Sequence, residues 1–361
     1  MSGTLGIGQI IGGRYRVVRY IDEGGMQFVY EAYDSLMERV VALKTPKNRS
    51  STKRFRRSAI VAARVNHPSV AKTLDYVRDG DERFLIEELV EGEDLSKALL
   101  RRTPFLDPYL AARVFHHLAK GVAAAHHAGV IHRDLKPSNV MVVGDYSLEA
   151  VKVTDFGIAK LAQEEIDEAV AGGDTSLSMS QTAVGALPYM APEAIDSPEL
   201  VSYPADIWSI GAMIFHLLTG STPYGTGLRA VKSILAAEIP PVPTFLSRNP
   251  QFSALSKNVL DLALKCMQKD PLARPSADQL VQSCGDLYYN SSPRAVGVVK
   301  RVDYNKYGFI RTDGEDVFFH VDSCYGPELP QAGDEVLFSS YEGGGAYRAY
   351  PVVKLSSTDG A

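Results

Sequence analysis

The stretch IHRDLKPSN, residues 131–139, determines how the rest of this sequence is interpreted. It places Asp134, Lys136 and Asn139 on one short loop, and the later run KVTDFG puts Asp155 after a β-like segment. Asp134 could accept a hydroxyl proton, and Lys136 could neutralise a transferring phosphoryl group. Asn139 and Asp155 carry oxygen atoms of the kind that Mg²⁺ prefers. Asp and Asn also favour turns, but turn formation explains each residue singly and not the ordered set.

Composition and targeting signals narrow the class of protein. The chain has 361 residues, enough for two or three domains, and its 45% hydrophobic and 22% charged residues are typical of globular proteins. A net charge of −5 gives no global sign of nucleic-acid binding. The three widely spaced cysteines favour a reducing compartment over a disulfide framework or a zinc site. The sequence shows neither a signal peptide nor an apolar run of membrane-spanning length, so we expect a cytoplasmic protein without membrane contact.

The ordered motifs resemble those of bacterial eukaryotic-like (Hanks-type) serine/threonine protein kinases over residues 14–287. HRDLKPSN is similar to the catalytic loop of that family, DFG to its metal-binding loop, and YMAPE, residues 189–193, to the end of its activation segment. In the family, the lysine of VALK, here Lys44, contacts the α- and β-phosphates of ATP. The resemblance also implies that Asp206 supports the catalytic loop and that Arg274 pairs with Glu193.

This resemblance implies an α+β fold, with a bilobal protein kinase domain at residues 14–287 after a flexible N-terminus at residues 1–13. It implies ATP and Mg²⁺ as cofactors and proteins as substrates. Asp134 and Lys136 would be catalytic, and Asn139 and Asp155 would be metal ligands. The residues that it assigns to ATP binding are Ile21, Gly24, Gly25, Val29, Ala42, Lys44, Glu87, Glu88 and Val90.

Two segments depart from the family pattern near the phosphates and the substrate. Counting back from Val29 in IDEGGMQFVYEA, Asp22 stands at the first glycine of GxGxxGxV and Gln27 at the third. Gly24 fits the second. An acid facing the phosphates predicts weaker ATP affinity. In GALPYMAPE, Ala186 stands where the family usually has a threonine, whose hydroxyl helps to hold the catalytic Asp and Lys.

The stretch RFRRSAIVAARVNHP, residues 54–68, has the periodicity of a helix. Its apolar stripe consists of Phe55, Ala59, Ala62 and Ala63. Relatives carry a glutamate here that pairs with the ATP-binding lysine, but Ser58 occupies that position, and no acid occurs from residue 39 to 74. Two hypotheses follow: an active kinase that holds Lys44 in another way, or a catalytically weak pseudokinase scaffold whose binding is done by the C-terminal domain.

A carboxylate on a neighbouring strand could replace the missing glutamate. The run FLIEELVEGEDL aligns with the hinge of the family and puts Glu88 and Val90 where backbone groups meet adenine. Glu87 then lies just before the hinge, at a position that is usually apolar, where an unpaired carboxylate would be costly to bury. Because that position lies beside the strand that carries the ATP lysine, we predict that Glu87 pairs with Lys44. The alternatives are that Glu87 reaches water or is protonated.

The segment between DFG and APE ends in TSLSMSQTAVG and supplies phosphorylation candidates by position: Ser178, Ser180 and Thr182, of which Thr182 is the best. Arg133 is, in the family, a receptor for such a phosphate. Phosphate–arginine contacts order loops of this kind. The alternative is a flexible Ser/Thr-rich loop without modification.

After a linker at residues 288–294, short alternating strands predict a small all-β domain at residues 295–356, followed by a tail at residues 357–361. Strand alternation puts the side chains of four residues on the face opposite the apolar core positions. They are Tyr307, Phe309, Phe318 and His320. Aromatic rings outside the core are typical of a platform on which bases stack.

The segments KYGFI and VFFHV are similar to the two ribonucleoprotein-like motifs of cold-shock domains, OB-type barrels that bind single-stranded RNA or DNA. KYGFI lacks the glycine that usually follows the lysine, and Arg301 stands where a stacking tryptophan is usual. Residues 295–361 hold six Lys/Arg and ten Asp/Glu, which argues against strong recruitment of phosphates. A protein-docking or autoinhibitory barrel is the alternative.

Overall fold

The computed structural model describes residues 5–23, 27–47, 52–156, 185–312 and 314–356. Six strands near the N-terminus form one antiparallel sheet. They are β1 (Ile10–Ile11), β2 (Tyr15–Glu23), β3 (Gln27–Asp34), β4 (Arg39–Pro46), β5 (Thr73–Asp79) and β6 (Glu82–Glu88). Their order is β1-β2-β3-β4-β6-β5. Residues 5–13, expected to be a flexible N-terminus, contribute β1 to this sheet, and Ile11 is buried in its core.

The two faces of this sheet are covered differently. On one face, alternate residues of the strands form an apolar cluster that includes Tyr15, Tyr30 and Leu43. On the other face lies helix α1 (Thr52–Ala62), whose Phe55 and Ala59 pack against Leu85. Strand β6 is therefore buried on both sides, which explains its continuous apolar run FLI.

The predicted apolar stripe of α1 is wrong at Ala63, which is exposed. The helix ends at Ala62, where Arg64 N donates to Val61 O and Val65 N donates to Ala62 O. Such i→i−3 bonds tighten the last turn of a helix. Ala63 is the first residue after the helix, and Val65 is buried in its place.

The second lobe is mainly helical. Its helices are α2 (Pro108–His127), α3 (Pro192–Asp196), α4 (Tyr203–Thr219), α5 (Ala230–Ala236), α6 (Phe245–Arg248), α7 (Pro250–Cys266) and α8 (Ala277–Gly285). A small sheet of β7 (Glu93–Asp94), β8 (Val140–Val143) and β9 (Ala150–Val153) lies beside them. Helix α4 is apolar on nearly all sides and almost wholly buried, as expected for a central helix.

The last described segment forms a closed β-barrel. Its strands are β10 (Ala295–Asp303), β11 (Tyr307–Arg311), β12 (Asp316–His320), β13 (Cys324–Tyr325), β14 (Glu335–Glu342) and β15 (Tyr347–Lys354). They follow the order β12-β11-β10-β14-β15-β13, and a parallel pairing of β12 with β15 closes the barrel. Apolar residues such as Val299, Ile310 and Phe338 fill its interior.

The barrel packs against the helical lobe through one face of β13, β14 and β15. Leu337 and Val353 belong to the core of the helical lobe, whereas their neighbours Phe338 and Val352 belong to the core of the barrel. Tyr350 stacks on Phe252 of α7, with ring centroids 5.1 Å apart. These strands are therefore buried on both faces, which matches their unbroken apolar runs VLF and PVV.

A buried ion pair joins the predicted linker, residues 288–294, to the helical lobe. Arg294 donates to both carboxylate oxygens of Asp107 at 2.9 and 2.8 Å, and the two side chains are only 3% and 0% exposed. Asp107 also caps α2, because its carboxylate accepts from Tyr109 N and Leu110 N. The linker thus anchors the barrel to the first turn of α2.

No helix in the described part of the chain combines the length and the apolar character that crossing a membrane requires.

We expect Arg294→Ala to lower the free energy of unfolding by about 3 kcal/mol or more, because it leaves a buried carboxylate without its cation. Urea denaturation of the full chain measures this loss. The matched control is Lys300→Ala, which removes a half-exposed partner of Asp316 and should cost about 1 kcal/mol or less. Equal losses for the two variants would contradict the anchoring role of Arg294.

Candidate active site

A cleft of about 1040 Å³ lies between the N-terminal sheet and the helical lobe. Its size is at the upper end of the range for small-molecule sites. It brings together most of the residues that the sequence predicts for ATP, metal and catalysis. These are Ile21, Val29, Ala42, Lys44, Glu87, Glu88, Val90, Asp134, Lys136, Asn139 and Asp155.

Asp206 of α4 stabilises the loop that carries Asp134 through hydrogen bonds to its backbone. The buried carboxylate of Asp206 accepts from His132 N at 2.8 Å and from Arg133 N at 2.9 Å. Arg133 has a left-handed backbone with φ 69°, a conformation that costs energy for a non-glycine residue. The two hydrogen bonds to Asp206 offset that cost, so the predicted support of this loop by Asp206 is confirmed.

Asp134 lies within a small polar network. Lys136 Nζ is 2.9 Å from Asp134 Oδ2, and Asn139 Nδ2 donates to Asp134 O at 2.8 Å and to Asp134 Oδ2 at 3.1 Å. Because Asn139 donates through its amide nitrogen, its oxygen is the atom that could bind a cation. An amide oxygen and the carboxylate of Asp155 in one cleft fit a hard divalent ion such as Mg²⁺.

Lys44 lies between two carboxylates. Its Nζ is 2.6 Å from Glu87 Oε2 and 2.5 Å from Asp155 Oδ1. The pairing of Lys44 with Glu87 that the sequence predicts is therefore present. The strand register explains it: Lys44 lies opposite Leu85 and Ala42 lies opposite Glu87, so Lys44 and Glu87 are diagonal neighbours on one face of the sheet.

The charges of this triad follow from burial and proximity. Burial opposes the ammonium of Lys44, but the carboxylates of Asp155 and Glu87 outweigh it and raise its pKa above the ordinary value. Burial raises the pKa of Glu87 although Lys44 acts against it. Burial also opposes ionisation of Asp155, but Lys44 prevails and lowers the pKa of that carboxyl. Of the two carboxyls, Glu87 therefore takes up a proton more readily than Asp155.

Several predicted residues cannot be compared with the structure. Gly24, Gly25, Ser178, Ser180 and Thr182 lie outside the described residues. Ser58 falls within α1, but its side chain is not among those described.

Two other expectations concern the end of the activation segment. Ala186 stands where the family usually has a threonine. It is buried and lines, with Asp134 and Leu135, a cavity of about 10 Å³ that its methyl group does not fill.

Arg274 donates to both carboxylate oxygens of Glu193, at 2.6 and 2.8 Å. The predicted pairing of Arg274 with Glu193 is confirmed.

Two contacts in the cleft were not predicted from the sequence. Gln27 Nε2 donates to Asp155 Oδ1 at 3.0 Å, and Lys152 Nζ lies 2.6 Å from Glu88 Oε1. Gln27 begins β3 and is buried. The period of two along β3 puts its side chain on the same face as Val29, and this alternation is the signal that could have identified it.

On the barrel, the predicted alternation of β11 and β12 is confirmed. Ile310 and Phe319 are buried in the interior, while Tyr307, Phe309 and Phe318 are half-buried on the outside. These three rings form one cluster: Tyr307 stacks on Phe318 at 5.8 Å, and Phe309 meets both edge-on. We call Tyr307, Phe309 and Phe318 the aromatic face.

Cations and acids flank the aromatic face. The guanidinium of Arg301 lies 4.9 Å from the ring centre of Phe309, and that of Arg348 lies 5.9 Å from the ring centre of Phe318. Arg301 is also paired with Asp303 at 3.0 Å. His320, predicted to share this face, lies opposite Tyr307 in the register and is exposed, with Nδ1 3.1 Å from a carboxylate oxygen of Asp322.

Comparison with known proteins agrees with this geometry. The family model for the protein kinase domain matches residues 15–284, a range that ends before the barrel. A probable serine/threonine-protein kinase of Clostridium perfringens is 32% identical over 276 residues, covering 74% of this chain and 37% of its own length. The serine/threonine-protein kinase PrkC of Bacillus subtilis is 32% identical over 273 residues, covering 74% of this chain and 39% of its own.

A serine/threonine-protein kinase of Myxococcus xanthus, pkn3, is 33% identical over 281 residues, covering 75% of this chain and 49% of its own length. The chain thus spans less than half the length of each of these curated relatives. The motifs around Asp134, Lys44 and Asp155 lie within the matched range, and the chain belongs to the protein kinase domain family.

Proposed function

We propose that this chain is a serine/threonine protein kinase that transfers the γ-phosphoryl group of ATP, with Mg²⁺, to hydroxyl groups of proteins. The observation that carries the proposal is the network of Asp134, Lys136 and Asn139, which shares one cleft with Lys44 and Asp155. Phosphoryl transfer is catalysed mainly by positioning and by electrostatic stabilisation. This cleft offers a base, two cations and two oxygen ligands for those tasks.

Each residue has a distinct task in this proposal. Asp134 orients the substrate hydroxyl and accepts its proton as the oxygen bonds to phosphorus and the bond to the leaving phosphate oxygen breaks. Lys136, 2.9 Å from Asp134, neutralises charge on the transferring group. Lys44 binds the α- and β-phosphates. Asn139 and Asp155 would hold Mg²⁺, which offsets negative charge on the phosphates when bound.

In this proposal Glu87 replaces the helix glutamate of the family, whose position Ser58 occupies in this chain. The ammonium of Lys44 is buried and needs a fixed partner that leaves it free to meet the phosphates. Glu87 supplies that partner from β6, which is paired with β4 along the register, so the position of Lys44 depends on the sheet. In the kinase family that the sequence resembles, the corresponding partner comes from a helix.

The activation segment and the barrel extend the proposal. Ser178, Ser180 and Thr182 are candidates for autophosphorylation, and the exposed Arg133 beside Asp134 would receive the phosphate. The barrel would be of the OB type, similar to cold-shock domains, and its aromatic face would bind single-stranded RNA or DNA. Half-buried rings on the outside of the barrel, flanked by Arg301 and Arg348, support this second function.

The kinase proposal predicts that Asp134→Asn lowers the rate of phosphoryl transfer by about 100-fold or more, because the base is lost. Incorporation of radiolabel from ATP into the chain and into a generic protein substrate measures this rate. The control is Asp261→Asn, which removes a half-exposed carboxylate paired with Lys257. Equal labelling by wild type and Asp134→Asn would end the enzyme hypothesis and leave the scaffold.

The role of Glu87 predicts that Glu87→Met lowers kcat/KM for ATP roughly 10- to 100-fold, the equivalent of one charge-assisted hydrogen bond. Adding Ser58→Glu to this variant should restore part of the loss by returning a carboxylate to α1. Ser58→Glu alone is the control, and it should not raise the activity of wild type. The hypothesis is wrong if Glu87→Met phosphorylates as well as wild type.

For the barrel we expect modest, sequence-tolerant binding of a short labelled oligonucleotide by the full chain, followed by fluorescence at low salt. Replacing Tyr307, Phe309 or Phe318 by alanine should each weaken binding by roughly 5- to 150-fold, which corresponds to about 1–3 kcal/mol per lost stack. The control is Tyr288→Ala, which removes a ring that is 95% exposed in the linker. Absence of saturable binding would leave only the protein-docking hypothesis.

A further inference from the structure

Gln27 stands where the glycine-rich loop of the family has its third glycine, and its side chain enters the cleft. Residue 27 is only 5% exposed, although it lies at the start of β3. It lies opposite Pro46, and Val29 lies opposite Lys44, so Gln27 and Lys44 are diagonal neighbours. Because Lys44 and Glu87 are also diagonal neighbours, the three side chains form one row across β3, β4 and β6.

Two members of this row, Gln27 and Lys44, donate to the same oxygen atom of Asp155. Asp155 Oδ1 accepts from Gln27 Nε2 at 3.0 Å and from Lys44 Nζ at 2.5 Å. A carboxylate has about four acceptor positions, two on each oxygen. The two donors of the sheet therefore fill Oδ1, and Oδ2 is the atom that a metal ion would bind.

The second polar atom of Gln27 also bears on this site. Gln27 Oε1 is buried and has no hydrogen-bond partner among the described residues. Buried acceptors usually have a partner. Mg²⁺ usually keeps several of its water molecules when it binds a protein, so a hydrated ion beside Asp155 would bring donors for this oxygen.

We propose that Gln27 is a positioning residue for the metal ligand Asp155, and this rests on the proposed kinase function. With Lys44 it holds Oδ1 of the carboxylate, which would leave Oδ2 free to bind a metal ion. Lys44 alone is shared between Asp155 and Glu87, whereas Gln27 donates to Asp155 without carrying a charge. Glycine would supply no donor at this position, and the hydroxyl of serine would be too short to reach.

The test measures binding of a fluorescent ATP analogue by the full chain as Mg²⁺ is varied, with EDTA for the metal-free state. Gln27→Leu keeps the approximate volume but removes the donor. The Mg²⁺ concentration at half-saturation should rise about 10- to 100-fold, the usual effect of removing a group that orients a metal ligand. Metal-free binding of the nucleotide should change much less than binding in the presence of Mg²⁺, because the lost donor acts on the metal ligand Asp155. Gln27→Ser places a hydroxyl that is too short to reach Asp155 and adds no apolar group. It should therefore raise the Mg²⁺ concentration at half-saturation by the same factor.

Gln282→Leu, on the exposed surface of α8, is the control and should behave as wild type. Thermal melts of all variants establish that they are folded. If wild type itself shows no Mg²⁺-dependent binding of the nucleotide, the proposed kinase function fails. If wild type shows it and both Gln27→Leu and Gln27→Ser keep the wild-type Mg²⁺ dependence, the role of Gln27 is refuted while the kinase proposal stands.

Discussion

The burial of one ammonium group, that of Lys44, constrains the architecture around the cleft. A buried cation is tolerated only when anions and hydrogen bonds replace the water that it has lost. Glu87 and Asp155 supply two anions, one from the sheet and one from the segment after β9. The ion pair with Asp155 therefore links the two lobes, and the pair with Glu87 fixes the lysine within the sheet.

Strand register makes this arrangement possible without the helix. Diagonal neighbours on one face of an antiparallel sheet are within reach of long side chains, and lysine, glutamate and glutamine are all long. The row of Gln27, Lys44 and Glu87 uses this geometry twice. Helix α1 still packs on the same face through Phe55 and Ala59, but it acts there as an apolar cover. Because the partner of Lys44 lies on β6, the position of the lysine side chain depends less on where α1 lies than it would with a partner on that helix.

The sequence was sufficient where a local pattern determines the structure. The grouping of Asp134, Lys136 and Asn139 on one loop and the outward rings of β11 and β12 follow from spacing and alternation, whereas the pairing of Arg274 with Glu193 was implied by the resemblance to the kinase family. The contact between Lys44 and Glu87 could also be predicted, because an unpaired buried acid requires a cation nearby. The end of α1 at Ala62 was not predicted, because the helical spacing of apolar residues continues to Ala63.

Docking of the barrel was missed for a different reason. The apolar run of β14 includes Leu337 and Phe338, and that of β15 includes Val352 and Val353. A strand with only one covered face should alternate, so such runs indicate a second covering layer. The sequence does not say what that layer is. The structure identifies it as the helical lobe, with Tyr325 surrounded by rings from that lobe.

This docking limits how the two proposed functions could communicate. The face formed by β13, β14 and β15 is committed to the helical lobe, while the aromatic face lies on β11 and β12. A ligand on the aromatic face would reach the helical lobe through the barrel itself, since β12 pairs directly with β15. Arg348 is at that junction, because it lies opposite Phe318 in the register and its guanidinium lies over the Phe318 ring. On β15 the same strand continues to Tyr350, which stacks on Phe252 of α7. Tyr350 also shares a hydrogen bond with Tyr109 of α2 at 2.8 Å, so a ligand on the aromatic face would act on the helical lobe through α2 and α7 together.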